Sequence, residues 1–143
     1  MKKNNRLIGK AGEIIAEYYL AGKGFRILEK NYITKYGEID IICEKEDRYY
    51  FFEVKSRLND EYIKPFESVN AAKIKKILNA MDYFFQKHPE YSDEKDRKLK
   101  IISITFSEII YTALTMIKNA YEIDYSDIKE GRDYKIGILD VFI

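Results

Sequence analysis

From Leu7 to Leu20 the apolar residues Leu7, Ile8, Ala11, Ile14, Ile15, Tyr18 and Tyr19 recur at spacings of three and four. That period predicts an amphipathic helix, which Gly22 and Gly24 stop. Phe25 to Tyr32 then reads as a strand. Between Gly37 and Arg57 two runs rich in Ile, Tyr, Phe and Val flank the polar break Glu44 to Arg48, the pattern of a β-hairpin. The aromatics Tyr49 to Phe52 predict a second strand covered on part of both faces, with most of these rings in the core rather than on a base-stacking platform. Leu58 to Val69 is irregular, broken by Pro65, and follows the hairpin closely enough to hang over it. Ser68 or Asn70 can cap a long helix, Ala71 to Lys87, whose stripe is Ile74, Ile77, Leu78, Met81, Phe84 and Phe85; Pro89 ends it.

After the charged link Glu90 to Lys98, Leu99 to Phe106 reads as a strand. Strand, helix, strand in that order predicts a crossover into a parallel neighbour. Ser107 to Ala120 is a predicted amphipathic helix with Ile109, Ile110, Ala113, Leu114 and Ile117 inward, Tyr121 to Tyr134 a loop, and Lys135 to Ile143 a final strand. A last strand so rich in Ile, Val and Phe is expected to be covered, in its own sheet or a partner's. A homodimer is therefore reasonable, with a monomer as the alternative.

Strand alternation places Glu38, Asp40 and Ile42 on one face and Tyr49, Phe51, Glu53 and Lys55 together on the neighbouring strand. If the turn centres between Glu46 and Asp47, Asp40 lies opposite Glu53 and Glu38 opposite Lys55; a loop one residue longer or shorter separates the two acids. Opposed like charges repel, so this pairing costs stability unless a cation sits between them. A divalent metal would supply that charge. Mg²⁺, with Mn²⁺ as its substitute, suits carboxylate oxygens with remaining water ligands. Lys55, two residues along the same face, can supply part of that charge or point at a substrate, and nearby carboxylates are expected to keep it protonated. Glu38 can equally form a structural ion pair with Lys55.

The pattern Asp40 followed by Glu53-Val54-Lys55 resembles the PD-(D/E)xK nuclease superfamily. With Gly12-Glu13, Tyr19-Leu20 and Gly24, then Gly37-Glu38-Ile39-Asp40 and Glu53-Val54-Lys55-Ser56-Arg57, the stretch from about Arg6 to Met81 is similar to the bacterial YraN-like family. The resemblance implies an α/β fold with a restriction-endonuclease-like three-layer core, a mixed central β-sheet flanked by helices. It implies one nuclease-like domain over 1–143 whose segment 107–143 is atypical. It also implies a metal-dependent DNA endonuclease for repair or processing of branched DNA, with DNA favoured over RNA. In such an enzyme the ion makes a hydroxide near neutral pH and stabilises phosphoryl oxygens, while Lys55 polarises the attacking water or stabilises developing charge. Metal ligands are then Asp40, Glu53 and the Val54 carbonyl, with Glu13 completing the set or orienting a metal-bound water; position alone makes Glu13 equally a solvated helix charge. Related junction-cleaving nucleases are dimers. The family closes on a strand containing Arg-Phe-Asp, for which either Leu99-Lys100 or Leu139-Asp140-Val141 can stand here.

Composition narrows these readings. The net charge is only +1, yet residues 107–134 hold six acids against three bases and 135–143 balance, which leaves +4 on the first 106 residues. Phosphate attraction must therefore be local. Arg57, Lys64, Lys73, Lys75 and Lys76 are the candidate contacts, either a phosphate-tracking surface or an ordinary solvated face. The single cysteine, Cys43, excludes an internal disulfide and reads as core. Gly9 to Gly12 lacks the spacing and the Lys-Ser/Thr ending of a phosphate loop. His88 reads as exposed and without a role. No apolar run reaches membrane-spanning length, and the cytoplasm is the expected compartment. Two other classes stay open: a non-catalytic nucleic-acid-binding module, and a structural protein whose acids form internal ion pairs.

Overall fold

The computed structural model describes residues 5–58, 70–91, 94–116 and 119–141. Lys64, Ser68 and the rest of the irregular stretch 59–69 lie outside them.

The hairpin sets the architecture. Strands β2 (Glu38–Lys45) and β3 (Arg48–Leu58) are joined by the two residues Glu46 and Asp47, with Glu46 left-handed at φ 55°. A turn this short fixes the register, which runs from Lys45↔Arg48 to Ile41↔Phe52 as the sequence predicts. Strand β1 (Arg26–Ile33) pairs antiparallel with β2, and β4 (Asp96–Phe106) pairs parallel with β3 after helix α2 (Ala71–Lys87). Strand β5 (Tyr134–Val141) closes the order β1-β2-β3-β4-β5 by pairing antiparallel with β4. The sheet is mixed, and helices cover both faces.

Helix α1 (Asn5–Gly22) and the short α3 (Glu108–Leu114) lie on one side. There Ile8, Ala11, Ile15 and Leu20 pack with Ile41, Cys43, Phe52 and Leu114. Helix α2 covers the other side, its Ile77, Met81, Phe84 and Phe85 packed on Ile39, Ile42, Tyr49, Phe51 and Leu99. The expected three-layer α/β fold is the one observed. Its two apolar layers leave the sheet's central strands dry, and burial pushes the Cys43 thiol up to about 12.

Helix α2 keeps its predicted bounds because its ends are encoded locally. The Asn70 side chain accepts from Lys73 N at 2.9 Å. At the other end His88 donates its backbone N–H to Phe84 O. His88 is not the idle exposed residue expected, since its ring sits 4.6 Å from Phe84 and also meets Tyr32 and Tyr91.

Three expectations fail where periodicity is satisfied without a surface to bury against. Helix α3 spans seven residues rather than fourteen, and Ile109 stands 81% exposed while only Leu114 is buried. Tyr18 leaves the α1 stripe and is 66% exposed. The cover expected over strand β5 is only partial: β4 holds it along one edge and Tyr134, Ile136 and Val141 pack against the two cores, but Ile138 and Leu139 each stay 37% exposed.

Gly12 is where α1 comes down onto β3. A Cβ there would collide with Ser56 Oγ, so only glycine allows this approach. Gly12→Val is expected to destabilise the protein by about 1–3 kcal/mol through overpacking, read as a lower urea midpoint at unchanged slope.

Candidate active site

At Asp40 the sheet stops being regular. The β2–β3 ladder ends at Ile41↔Phe52, and Ile39 joins the α2-side core although Ile41 faces α1. The strict alternation expected for Glu38, Asp40 and Ile42 therefore breaks at Asp40. In place of the next ladder bond, Asp40 Oδ2 accepts the Val54 N–H at 2.8 Å. The carboxylate is thereby tied to the backbone of the Glu53-Val54-Lys55 segment, at the height where two strands part.

On the α2 side Asp40 and Glu53 line one cavity of about 420 Å³ with Glu38, Asn70, Lys73 and Lys76. Glu53 is buried, at 7% exposure. Its Oε1 receives two ammonium groups, Lys73 Nζ at 2.5 Å and Lys55 Nζ at 3.3 Å. Lys55 thus pairs along its own strand, and Glu38, exposed at the end of β2, is placed opposite Ile33 of β1. Gly37 permits this closeness: a Cβ there would sit 3.2 Å from Lys76 Cβ, against the first turns of α2.

The electrostatics follow from that crowding. Burial, then the Glu53 carboxylate, push Asp40 up to about 7; the Val54 N–H opposes this, Glu13 adds to it and Lys73 relieves it. On Lys55 the carboxylates do not act alone. Its pKa is lowered, first by burial and then by the neighbouring Lys73, and the attraction of Glu53 does not make up the difference. Lys73 moves the other way. Burial works against its charge, but its bonds to Glu53 and Lys55 and the fields of Glu53 and Asp40 raise its pKa.

Glu13 stands on the α1 side, half-buried, where burial raises its pKa against the opposing pull of Lys10, with Glu53 and Glu38 adding to the rise. Asn31, left-handed at φ 51°, orients it: with the amide turned to satisfy both neighbours, its nitrogen donates to Glu13 Oε1 at 2.7 Å and its oxygen accepts from Lys10 Nζ at 3.0 Å. A non-glycine residue held at positive φ inside a strand marks a spot the surroundings over-determine.

Of the sequence candidates, Asp40, Glu53, Lys55 and Lys73 meet at one place, Lys76 lines the same cavity, and Glu13 borders Asp40 from the far side. Lys75 is exposed and does not line that cavity. Arg57 is half-buried, and among the described residues its Nε has no partner. Among the described residues no three acids, histidines or cysteines form a ligating cluster. The pair Asp40 and Glu53 is nevertheless a hard-oxygen set of the kind Mg²⁺ takes when substrate phosphates supply the rest. The Lys73 ammonium on Glu53 shows that a cation is accommodated there. Asn31 and the inward role of Lys73 were not legible beforehand, although the Asn70 cap, which sets the phase of α2, was.

The sequence profile of the uncharacterised protein family UPF0102 matches residues 12–104. The chain belongs to the UPF0102 family. The YraN-like resemblance of the Gly-Glu helix, the hairpin and Glu53-Val54-Lys55 is to this same group. A UPF0102 protein of Clostridioides difficile (strain 630) is 49% identical over 85 residues, covering 59% of this chain and 75% of that protein. One from Persephonella marina is 35% identical over 117 residues, 82% of this chain and 95% of the relative. One from Clostridium kluyveri is 38% identical over 124 residues, 86% of this chain and the whole of the relative. The UPF0102 profile enters at Gly12, the residue that seats α1, and ends inside β4. It therefore contains Asp40, Glu53, Lys55 and Lys73. Lys100 of β4 and Asp140 of β5, the two candidates for the closing position, lie opposite each other and are joined by an ion pair at 3.0 Å. No helix among the described residues is long and apolar enough to cross a membrane.

Proposed function

We propose that this UPF0102 protein is a metal-dependent DNA endonuclease acting on branched or unpaired DNA, with Mg²⁺, or Mn²⁺ in its place, as cofactor. The observation that carries the reading is the meeting of Asp40 and Glu53 in one cavity, their repulsion unresolved by protein groups alone: Lys73 reaches Glu53, while Asp40 is left with a pKa near 7. A fold selected for stability alone would replace such a buried pair with apolar residues.

Asp40 and Glu53 would hold the ion, with Glu13 reaching it through water. Bound there, the ion supplies a nucleophile near neutral pH and charge stabilisation on the phosphoryl oxygens. Lys55, directed at Glu53 from its own strand, stabilises negative charge developing on the phosphate. Lys73 and Lys76 attract the backbone at the cavity mouth, and with a metal on Glu53 the Lys73 ammonium is released to a phosphate. A second copy of the chain is compatible with the exposed Ile138 and Leu139 of β5.

Incubation with Mg²⁺ or Mn²⁺ and a panel of linear, flapped and four-way DNA is expected to give cleavage of the flapped or four-way substrates, read on denaturing gels. No cleavage of any of them with either metal overturns the enzyme. The Lys73–Glu53 pair favours one other reading, a binding module that has already neutralised its acid. Salt-sensitive DNA retention without cleavage would support that module instead.

A further inference from the structure

Two cavities meet at Asp40. The first carries Glu53, Lys73 and Lys76. The second, about 350 Å³, opens on the α1 side and is walled by Lys10, Glu13, Tyr18, Asn31, Tyr121 and Tyr125. Its size falls within the ~300–1,000 Å³ typical of small-ligand clefts. Its outer wall comes from two short 3-10 turns, Ala120–Glu122 and Tyr125–Asp127, beyond the segment matched by the family profile.

We propose that this second cavity receives an unpaired nucleobase of the bound DNA strand, stacked on Tyr121 and Tyr18, while the sugar-phosphate backbone crosses Asp40 toward Lys73 and Lys76. The inference rests on the DNA-binding part of the function proposed above, not on cleavage.

Three features fit a base better than an apolar ligand. Tyr121 and Tyr18 are 69% and 66% exposed, so two large rings stand in water beside a cavity rather than in the core. Their surroundings are tied together: Tyr125 donates its hydroxyl to Ala120 O at 2.8 Å, and its ring lies 6.2 Å from that of Tyr18. The floor is polar and offers both donors and acceptors, through the Asn31 amide, the Glu13 carboxylate and Lys10, whose ammonium also lies 5.8 Å from the Tyr121 ring centre. Aromatic faces with a hydrogen-bonding floor are what an extruded base requires, and a base still paired in a duplex cannot reach them. An unpaired nucleotide beside a branch point can.

The test is equilibrium binding in EDTA, where no cleavage occurs, using fluorescently labelled oligothymidylate and a blunt duplex of equal length. Tyr121→Ala and Tyr18→Ala are each expected to weaken oligothymidylate binding on the order of tenfold, the scale of one lost base stack. Duplex binding stays unchanged, and Tyr121→Phe retains wild-type affinity. Both rings are exposed, and melting temperatures within a degree or two of wild type verify that the fold is intact. Equal loss on both probes, or no loss on oligothymidylate, overturns the base pocket, as does tighter binding of oligouridylate than of oligothymidylate. Absence of cleavage alongside tyrosine-dependent strand binding would remove the nuclease and leave the pocket; cleavage that ignores both tyrosines would do the reverse.

Discussion

Asp40→Asn is expected to abolish cleavage, a fall on the order of a thousandfold or more, while raising the melting temperature of the metal-free protein at pH 8. The two effects have one cause. A carboxyl whose folded-state pKa is raised to about 7 from an ordinary 3.8 holds its proton more tightly in the fold than in the unfolded chain. Its favourable contribution is therefore intact below the unfolded value and is lost as pH rises through about 7. At pH 8 the wild-type protein carries the full cost of a buried anion beside Glu53. Asparagine removes that charge and still offers an oxygen to the Val54 N–H. Each pKa unit relieved is worth about 1.4 kcal/mol, or roughly 3–5 °C in a domain of this size. At pH 4, just above the unfolded value of 3.8, most of the difference should be gone. Added Mg²⁺ should raise the wild-type midpoint at pH 8 and leave the variant unmoved. Scanning calorimetry at both pH values checks all of this, and a variant that melts lower at pH 8 yet keeps its Mg²⁺ response would place the cation elsewhere.

The hairpin could be read in advance because its information is local: a two-residue turn and two runs of β-formers leave one register that keeps both apolar layers inside. Helix α2 was equally legible, since Asn70, the Ile77–Met81–Phe84 stripe and Pro89 all act within a few residues of its ends. What escaped depends on distance. Lys73 reaches Glu53 only because α2 docks across the sheet in one phase, and nothing in the spacing of twenty residues encodes that contact. The break at Asp40 is similar, for strand periodicity supposes a ladder that continues, whereas the Asp40 side chain itself takes the Val54 N–H. Helix α3 shows the opposite failure. Its helical spacing is sound, but only Leu114 is buried and Ile110 packed against the α1 side, while Ile109 and Ala113 face water. Tyr18 was assigned to the core on the same logic, and it instead stands 66% exposed beside the cavity proposed to receive a base.

Lys55→Met is expected to lower the cleavage rate by about a hundredfold to a thousandfold, the usual cost of removing one group that stabilises transition-state charge. DNA retention in EDTA should change little, because Lys73 and Lys76 still face the same cavity. The pH profile carries the finer argument. Burial and the adjacent Lys73 lower the Lys55 pKa from 10.5, so the ammonium is lost at a lower pH than an ordinary lysine's. If the protonated form assists the reaction, the wild-type rate should fall on the alkaline side below pH 10.5, and Lys55→Met should lack that limb. Lys73→Met removes one of the two forces holding the value down, while the attraction of Glu53 remains. The alkaline limb should then move upward in that variant. A limb that stays fixed when Lys73 is replaced would mean that another group titrates there, and that the Lys55 amine serves to hold Glu53 in place rather than to meet the phosphate.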